Sequence, residues 1–132
     1  MAGLDGGPAL LYQHGMTVMS EDGPVYLRLR GHIAAAILRG RYAAGDQLPS
    51  VRALAAEYGA NPLTVAKAYQ TFQDDGYVEV RRGVGMFVLP GAADRLRVAE
   101  RESFVTQSWP RIRDHIRLLG LDAADLLERE RV

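Results

Sequence analysis

The chain has 132 residues, sixteen basic and sixteen acidic side chains, a formal net charge of zero, 48% apolar residues and no cysteine. That length suits one domain with an extension and is short for two full domains, while no apolar run approaches the ~18 residues of a membrane helix. Disulfide and thiolate chemistry are excluded, and with no basic segment leading into a sustained apolar stretch at the N-terminus a cytoplasmic location is expected.

The charge is partitioned along the chain. Residues 1–23 carry three acids and no base, residues 24–90 carry eight bases and five acids for a net +3, and residues 91–132 carry eight of each. A neutral total therefore conceals a basic middle. Residues 1–23 hold Gly6, Gly7, Gly15 and Gly23 without a sustained period, which predicts a flexible leader with a short extended piece at Met16 to Met19. Met16 is a second candidate start. From Pro24, the apolar residues Tyr26, Leu29, Ile33 and Ile37 recur at spacings of three and four, with Arg28, Arg30, His32 and Arg39 on other faces. This predicts an amphipathic helix ending at Gly40.

Turn chemistry follows at Gly45 and Asp46, then Leu48, Pro49 and the N-cap candidate Ser50. A second helix is expected from Val51 to about Tyr58, burying Leu54, Ala55 and Tyr58 and stopped by Gly59. Asn61 is the next N-cap candidate, with Pro62 at the first helical position, where a missing N–H costs nothing. The third helix, to about Asp75, presents Val65, Ala68, Tyr69 and Phe72 to the core and Thr64, Lys67, Gln70 and Thr71 to the opposite side. Two short helices joined by a tight glycine-containing turn form a helix-turn-helix pattern. Beyond Gly76 the period becomes extended: Tyr77 to Arg81 alternates and Met86 to Leu89 is a β-forming run, with Gly83 and Gly85 between them. A hairpin is the economical reading, and helix, helix-turn-helix and hairpin in this order make a winged helix.

From Asp94 a long helical pattern runs to about Leu119, with Val98, Val105, Trp109, Ile112, Ile116 and Leu119 in a stripe near the heptad spacing. Pro110 is expected to kink it; Gly120 closes it, and Asp122 caps a last short helix containing Leu126 and Leu127. A winged helix closes its own small core, so a two-helix appendage carrying Trp109 and six or more aliphatics is expected to bury them against a second copy of the chain. The fold class is thus α+β: a leader at 1–23, a winged helix-turn-helix domain at 24–90 and a two-helix dimerisation segment at 91–132.

The motifs "LPSVRALA", "NPLTVAKAY" and "RRGVGMFV", in this order, closely resemble the N-terminal domain of GntR-type bacterial transcription regulators, and the likeness reaches back through "PVYLRLRGHIAAAILRGRYAAGDQ". The "NPLTV" opening of the third helix and the short C-terminal extension are most similar to the YtrA-type subfamily, in which a small helical dimerisation segment replaces a large ligand-binding domain. The resemblance implies double-stranded DNA and a second copy of the chain as partners, and a roughly palindromic operator. It implies Arg52 as a DNA contact, Thr64 and Lys67 on the recognition helix, and the wing arginines Arg81 and Arg82 facing phosphates or the minor groove. Gly83 and Gly85 would let the wing tip turn and approach the sugar-phosphate backbone. Asn61 caps the recognition helix, whose free N–H groups suit a phosphate. Ala66 departs from the polar or charged residue often found there in the family, leaving an apolar readout such as a thymine methyl contact, or none.

No Ser/His/Asp or Cys/His arrangement is present, so no catalytic residue is expected. His14, His32 and His115 lack paired metal spacing, and "GVG" leads into a strand and not the helix of a nucleotide loop. No metal or cofactor is expected. Two other readings stay open: a protein-interaction winged helix that binds no DNA, and a small-molecule sensor with its site at the dimer interface near Trp109.

Overall fold

The computed structural model describes residues 24–129, so the expected leader, with its extended piece at Met16 to Met19 and with His14, lies outside the described residues. Helix α1 (Val25–Leu38) begins where the carbonyl of Pro24 accepts the Leu27 and Arg28 N–H groups. Its stripe of Leu29, Ile33, Ala34 and Ile37 is buried. Arg30, expected on an outer face, is instead among the most buried residues of the chain, at 1% exposure. It lies one residue from Leu29 on the helix, and it is accommodated because Glu100 and Asp75 meet its guanidinium inside.

The turn after α1 is fixed by Asp46, whose carboxylate accepts the Ala43 N–H at 2.8 Å. Helix α2 (Val51–Tyr58) is capped by Ser50, which accepts the Ala53 N–H, and ends at Gly59 with φ +63°, a conformation that costs an L side chain about 1 kcal/mol or more. Helix α3 (Pro62–Asp74) is capped by Asn61, which accepts the Leu63 N–H at 2.8 Å. The start of α2 is tied to α3 by the Tyr69 hydroxyl, which donates to the carbonyl of Pro49, just before the Ser50 cap, at 2.6 Å. Burial raises the Tyr69 phenol above its ordinary range, so it remains a donor.

Two expectations in this region are corrected. Thr71 is buried and not on the outer side of α3; its hydroxyl returns to the Ala68 carbonyl at 2.7 Å, which satisfies it without water. Tyr58 is 39% exposed and outside the core, its ring stacked on the exposed His32 of α1 at 5.5 Å.

Strands β1 (Val78–Arg81) and β2 (Gly85–Val88) pair antiparallel with Val78 opposite Val88 and Arg81 opposite Gly85. Residues 45–48 add an extended segment along β2, through Gly45 to Val88, Val88 to Asp46 and Leu48 to Met86 backbone bonds. The hairpin is thereby tied to the turn preceding α2. One apolar core unites Leu29, Ile33 and Ile37 of α1 with Leu54, Val65, Phe72, Val78 and Val88. Burying a side chain such as Phe72 contributes about 2–3 kcal/mol.

The C-terminal part comprises α4 (Ala92–Ser103), a π-helical turn (Phe104–Ser108), α5 (Trp109–Leu118) and α6 (Ala123–Arg129). Ala92 and Leu96 are fully enclosed in the same core as α1. The winged helix therefore does not close its core unaided: the inner face of α4 completes it, while Val98 on the outer face is exposed. Pro110 does not break the helix. The π register sends the Trp109 N–H to the Phe104 carbonyl, so the ladder shifts by one residue immediately before the residue that has no N–H to give.

Candidate nucleic-acid interface

Each element that presents a candidate contact is anchored by the bonds just described. Arg52, the second residue of α2, is exposed, and among the described residues it has no ion-pair partner. The nearby acid Glu57 is instead engaged by Arg41 at 3.7 Å. On α3, Asn61 is spent on the cap, Thr64 is half-buried, and Lys67 is exposed with its ammonium 4.2 Å from the centre of the Tyr26 ring. That cation–π contact spans α1 and α3 and holds the lysine near one position. Ala66 is exposed beside it.

The sequence pattern missed two contributors. Leu63, at the start of α3, is 80% exposed; its signal is that it lies off the Val65, Ala68, Tyr69 and Phe72 stripe. With Ala66 it gives the front of the recognition helix an apolar surface between polar ends. Gln47 donates to the Val84 carbonyl at 2.9 Å, reaching from the segment before α2 to the tip of the wing. No periodicity marks it, since the contact spans 37 residues.

In the wing the arginines divide. Arg81 pairs with Glu79 at 3.0 Å and lies over the Phe87 ring at 4.0 Å, whereas Arg82 is exposed and among the described residues has no partner. Gly83 has φ +76° at the tip. Gly85 has φ +150°, and a Cβ built there would collide with the Gln47 amide. Gly85→Ala is expected to lower stability by about 2 kcal/mol, from backbone strain and loss of the Gln47–Val84 bond. Thermal unfolding checks this; an unchanged midpoint would show that the Gln47 brace is dispensable.

Thus Arg52, Asn61, Thr64 and Lys67 belong to the helix-turn-helix, and Arg81, Arg82, Gly83 and Gly85 to the wing. The backbone bonds of residues 45–48 and the Gln47 amide join the two units. Among the described residues no cluster of three His, Cys, Asp or Glu could hold a metal ion, and no helix is long and apolar enough to cross a membrane.

A capped helix-turn-helix packed on a leading helix and followed by a braced two-stranded wing defines a winged-helix DNA-binding protein. The chain belongs to the GntR family of bacterial regulatory proteins, which it matches over residues 25–88 and whose members are transcriptional regulators that bind DNA. It is 33% identical over 111 residues to the uncharacterized HTH-type transcriptional regulator YhcF of Bacillus subtilis, covering 80% of this chain and 85% of that one. To the HTH-type transcriptional repressor YtrA of the same organism it is 32% identical over 100 residues, covering 76% and 71%. Among solved structures, a GntR-family regulator from Bacteroides thetaiotaomicron superposes with a TM-score of 0.59 at 27% identity, covering 80% and 91%. One from Listeria monocytogenes gives 0.63 at 23% identity, covering 86% and 97%, a likeness of fold.

Proposed function

We propose that the chain is a cytoplasmic, homodimeric repressor without catalytic activity that occludes a promoter by occupying a roughly palindromic operator. The observation that carries this reading is the pair of exposed cations Arg52 and Arg82, one on the helix-turn-helix and one on the wing, which have no partner among the described residues. The recognition helix adds exposed Leu63 and Ala66, which suit thymine methyl groups. Lys67 adds a positioned charge, and the N-terminus of α3 suits a phosphate. The repressor assignment is supported by the likeness to YtrA, itself described as a repressor.

The experiment is a fluorescence-anisotropy titration against duplex DNA from upstream of the gene, beside a scrambled duplex, at two salt concentrations. Selective, salt-sensitive binding is the expected result. Equal weak binding to both duplexes, followed by failure to enrich any sequence from random DNA, would favour a protein-binding winged helix.

The second copy is expected on the outer face of the C-terminal helices. Val98, Val105, Trp109, Ile112 and Leu119 are exposed there and Ile116 is half-buried, an apolar surface that a monomer rarely leaves to water. Replacing Trp109 and Ile112 together by Asp is expected to give a monomer with an unchanged far-ultraviolet circular dichroism spectrum, read by sedimentation velocity. A persisting dimer would place the interface elsewhere. These two residues are better targets than truncation after Pro90, which would strip Ala92 and Leu96 from the core.

A further inference from the structure

On the outward face of α3, Leu63, Ala66, Lys67 and Gln70 stand at i, i+3, i+4 and i+7 and form one exposed stripe opposite the buried Val65, Ala68, Tyr69 and Phe72. Its two polar members are engaged within the protein. The Lys67 ammonium sits over the Tyr26 ring of α1 at 4.2 Å, and the Gln70 amide donates to Asp74 at 2.8 Å. Asn61 is held against its own helix, its side-chain oxygen accepting the Leu63 N–H at 2.8 Å. Thr64 lies on the flank of the stripe and is half-buried. The two members nearest the N-terminus, Leu63 and Ala66, present only hydrocarbon.

The N-terminal residues of a recognition helix are the ones that meet base edges in the major groove. Paired hydrogen bonds from amides or guanidinium groups are the usual means of telling bases apart there, but Asn61 and Gln70, the amides beside and within this stripe, are both turned along their own helix. The apolar group that a base pair displays in that groove is the C5-methyl of thymine. Leu63 is placed to cover it. The side chain is 80% exposed and so has its area still to bury, and its backbone is fixed by Pro62 before it and by the bond to Asn61. Cytosine methylated at C5 carries the same group at the same point of the groove. An exposed leucine alone would signify little; this one heads a DNA-reading helix, with Ala66 one turn behind it and the exposed Arg52 and Arg82 on neighbouring elements.

We infer that Leu63 and Ala66 make α3 a reader of pyrimidine C5-methyl groups, so that 5-methylcytosine substitutes for thymine in the operator. Leu63 is the specificity-determining residue, and Ala66 is the small one that lets the base edge approach. The inference rests on the proposed regulator reading and adds to it what the helix recognises, a methyl group and not a hydrogen-bonding pattern.

The test uses duplexes enriched from random DNA by the full-length protein, with binding measured by fluorescence anisotropy. Replacing thymines one at a time by deoxyuridine, which removes only the methyl, is expected to weaken binding about fourfold at each contacted position. Changing such a T·A pair to C·G should weaken binding as well, and 5-methylcytosine at that position should restore most of the loss. Leu63→Ala should bring the thymine-to-uracil affinity ratio close to one at the position this residue covers. Its thermal midpoint and salt dependence should match the parent, so a general structural defect would not imitate the result. Selective binding indifferent to every uracil substitution, a ratio that persists in Leu63→Ala, or no recovery with 5-methylcytosine would each overturn the inference and leave the regulator reading standing. Failure to enrich any sequence would overturn both.

Discussion

Arg30→Ala is expected to destabilise the protein by about 3–5 kcal/mol, because it leaves Glu100 as a buried charge with its principal cation gone. The guanidinium lies 4.9 Å from the centre of the Phe72 ring, 3.2 Å from Glu100 and 3.9 Å from Asp75, and Glu100 is itself only 7% exposed. Three elements meet at this point: α1, the end of α3, and α4. Among the described residues the Nε and Nη2 atoms of Arg30 have no hydrogen-bond partner, so the pair is geometrically imperfect and its desolvation is incompletely repaid. Replacing both partners by Met and Leu is therefore expected to recover most of the lost stability, while Glu100→Leu alone, which leaves the buried arginine only the longer Asp75 pairing at 3.9 Å, is expected to resemble Arg30→Ala. Urea unfolding of the three variants separates the possibilities. If the double variant is as unstable as either single one, the site depends on packing around Arg30 and the charge pairing is incidental.

Stability is not the only quantity this pair sets. Glu100 belongs to the helix whose outer face carries the proposed dimer stripe, and Arg30 and Asp75 belong to the DNA-binding unit. An apolar replacement preserves burial but removes directionality, since a charge pair fixes an approach angle that methyl groups do not. The double variant is thus the informative one for DNA binding: near-normal stability with weakened operator selectivity is the pattern that a positioning role produces.

The local grammar of the winged helix was legible because each signal acts over a few residues. Ser50, Gly59, Asn61 and Pro62 bound α2 and α3 as their chemistry requires, and the stripe of Val65, Ala68, Tyr69 and Phe72 is the buried face of α3. What escaped the sequence depends on distant partners. Arg30 reads as a surface residue until Glu100, seventy residues on, is brought beside it. Gln47 carries no pattern, yet it braces the wing, and Thr71 satisfies its own hydroxyl and so can be buried. Pro110 marks a local interruption of the helix, but the sequence does not show its form, a π turn that shifts the ladder by one residue just before the missing donor. In the candidate interface the residue types were readable, but which cations are committed was not. Arg81 and Arg82 are adjacent and chemically identical, and only the cross-strand register that places Glu79 opposite Phe87 tells them apart.

That difference yields the most direct test of the interface. Arg52→Ala combined with Arg82→Ala is expected to weaken operator binding by two orders of magnitude or more at low salt, and to flatten its salt dependence. Each phosphate contact contributes about 0.9 to the slope of log K against log salt, so a dimer losing two arginines per subunit should lose about 3–4 units of slope. Stability should stay within about 0.5 kcal/mol of the parent, since among the described residues neither side chain has a partner to lose. Arg81→Ala alone should change the slope less than Arg82→Ala alone, because Arg81 must first release Glu79 and the Phe87 ring before it can serve a phosphate. If affinity falls while the slope is retained, the arginines read base edges and not phosphates, and discrimination against the scrambled duplex should collapse in parallel. If neither affinity nor slope moves, the winged helix does not meet DNA through this face, and the exposed Leu63 would then suit a protein surface.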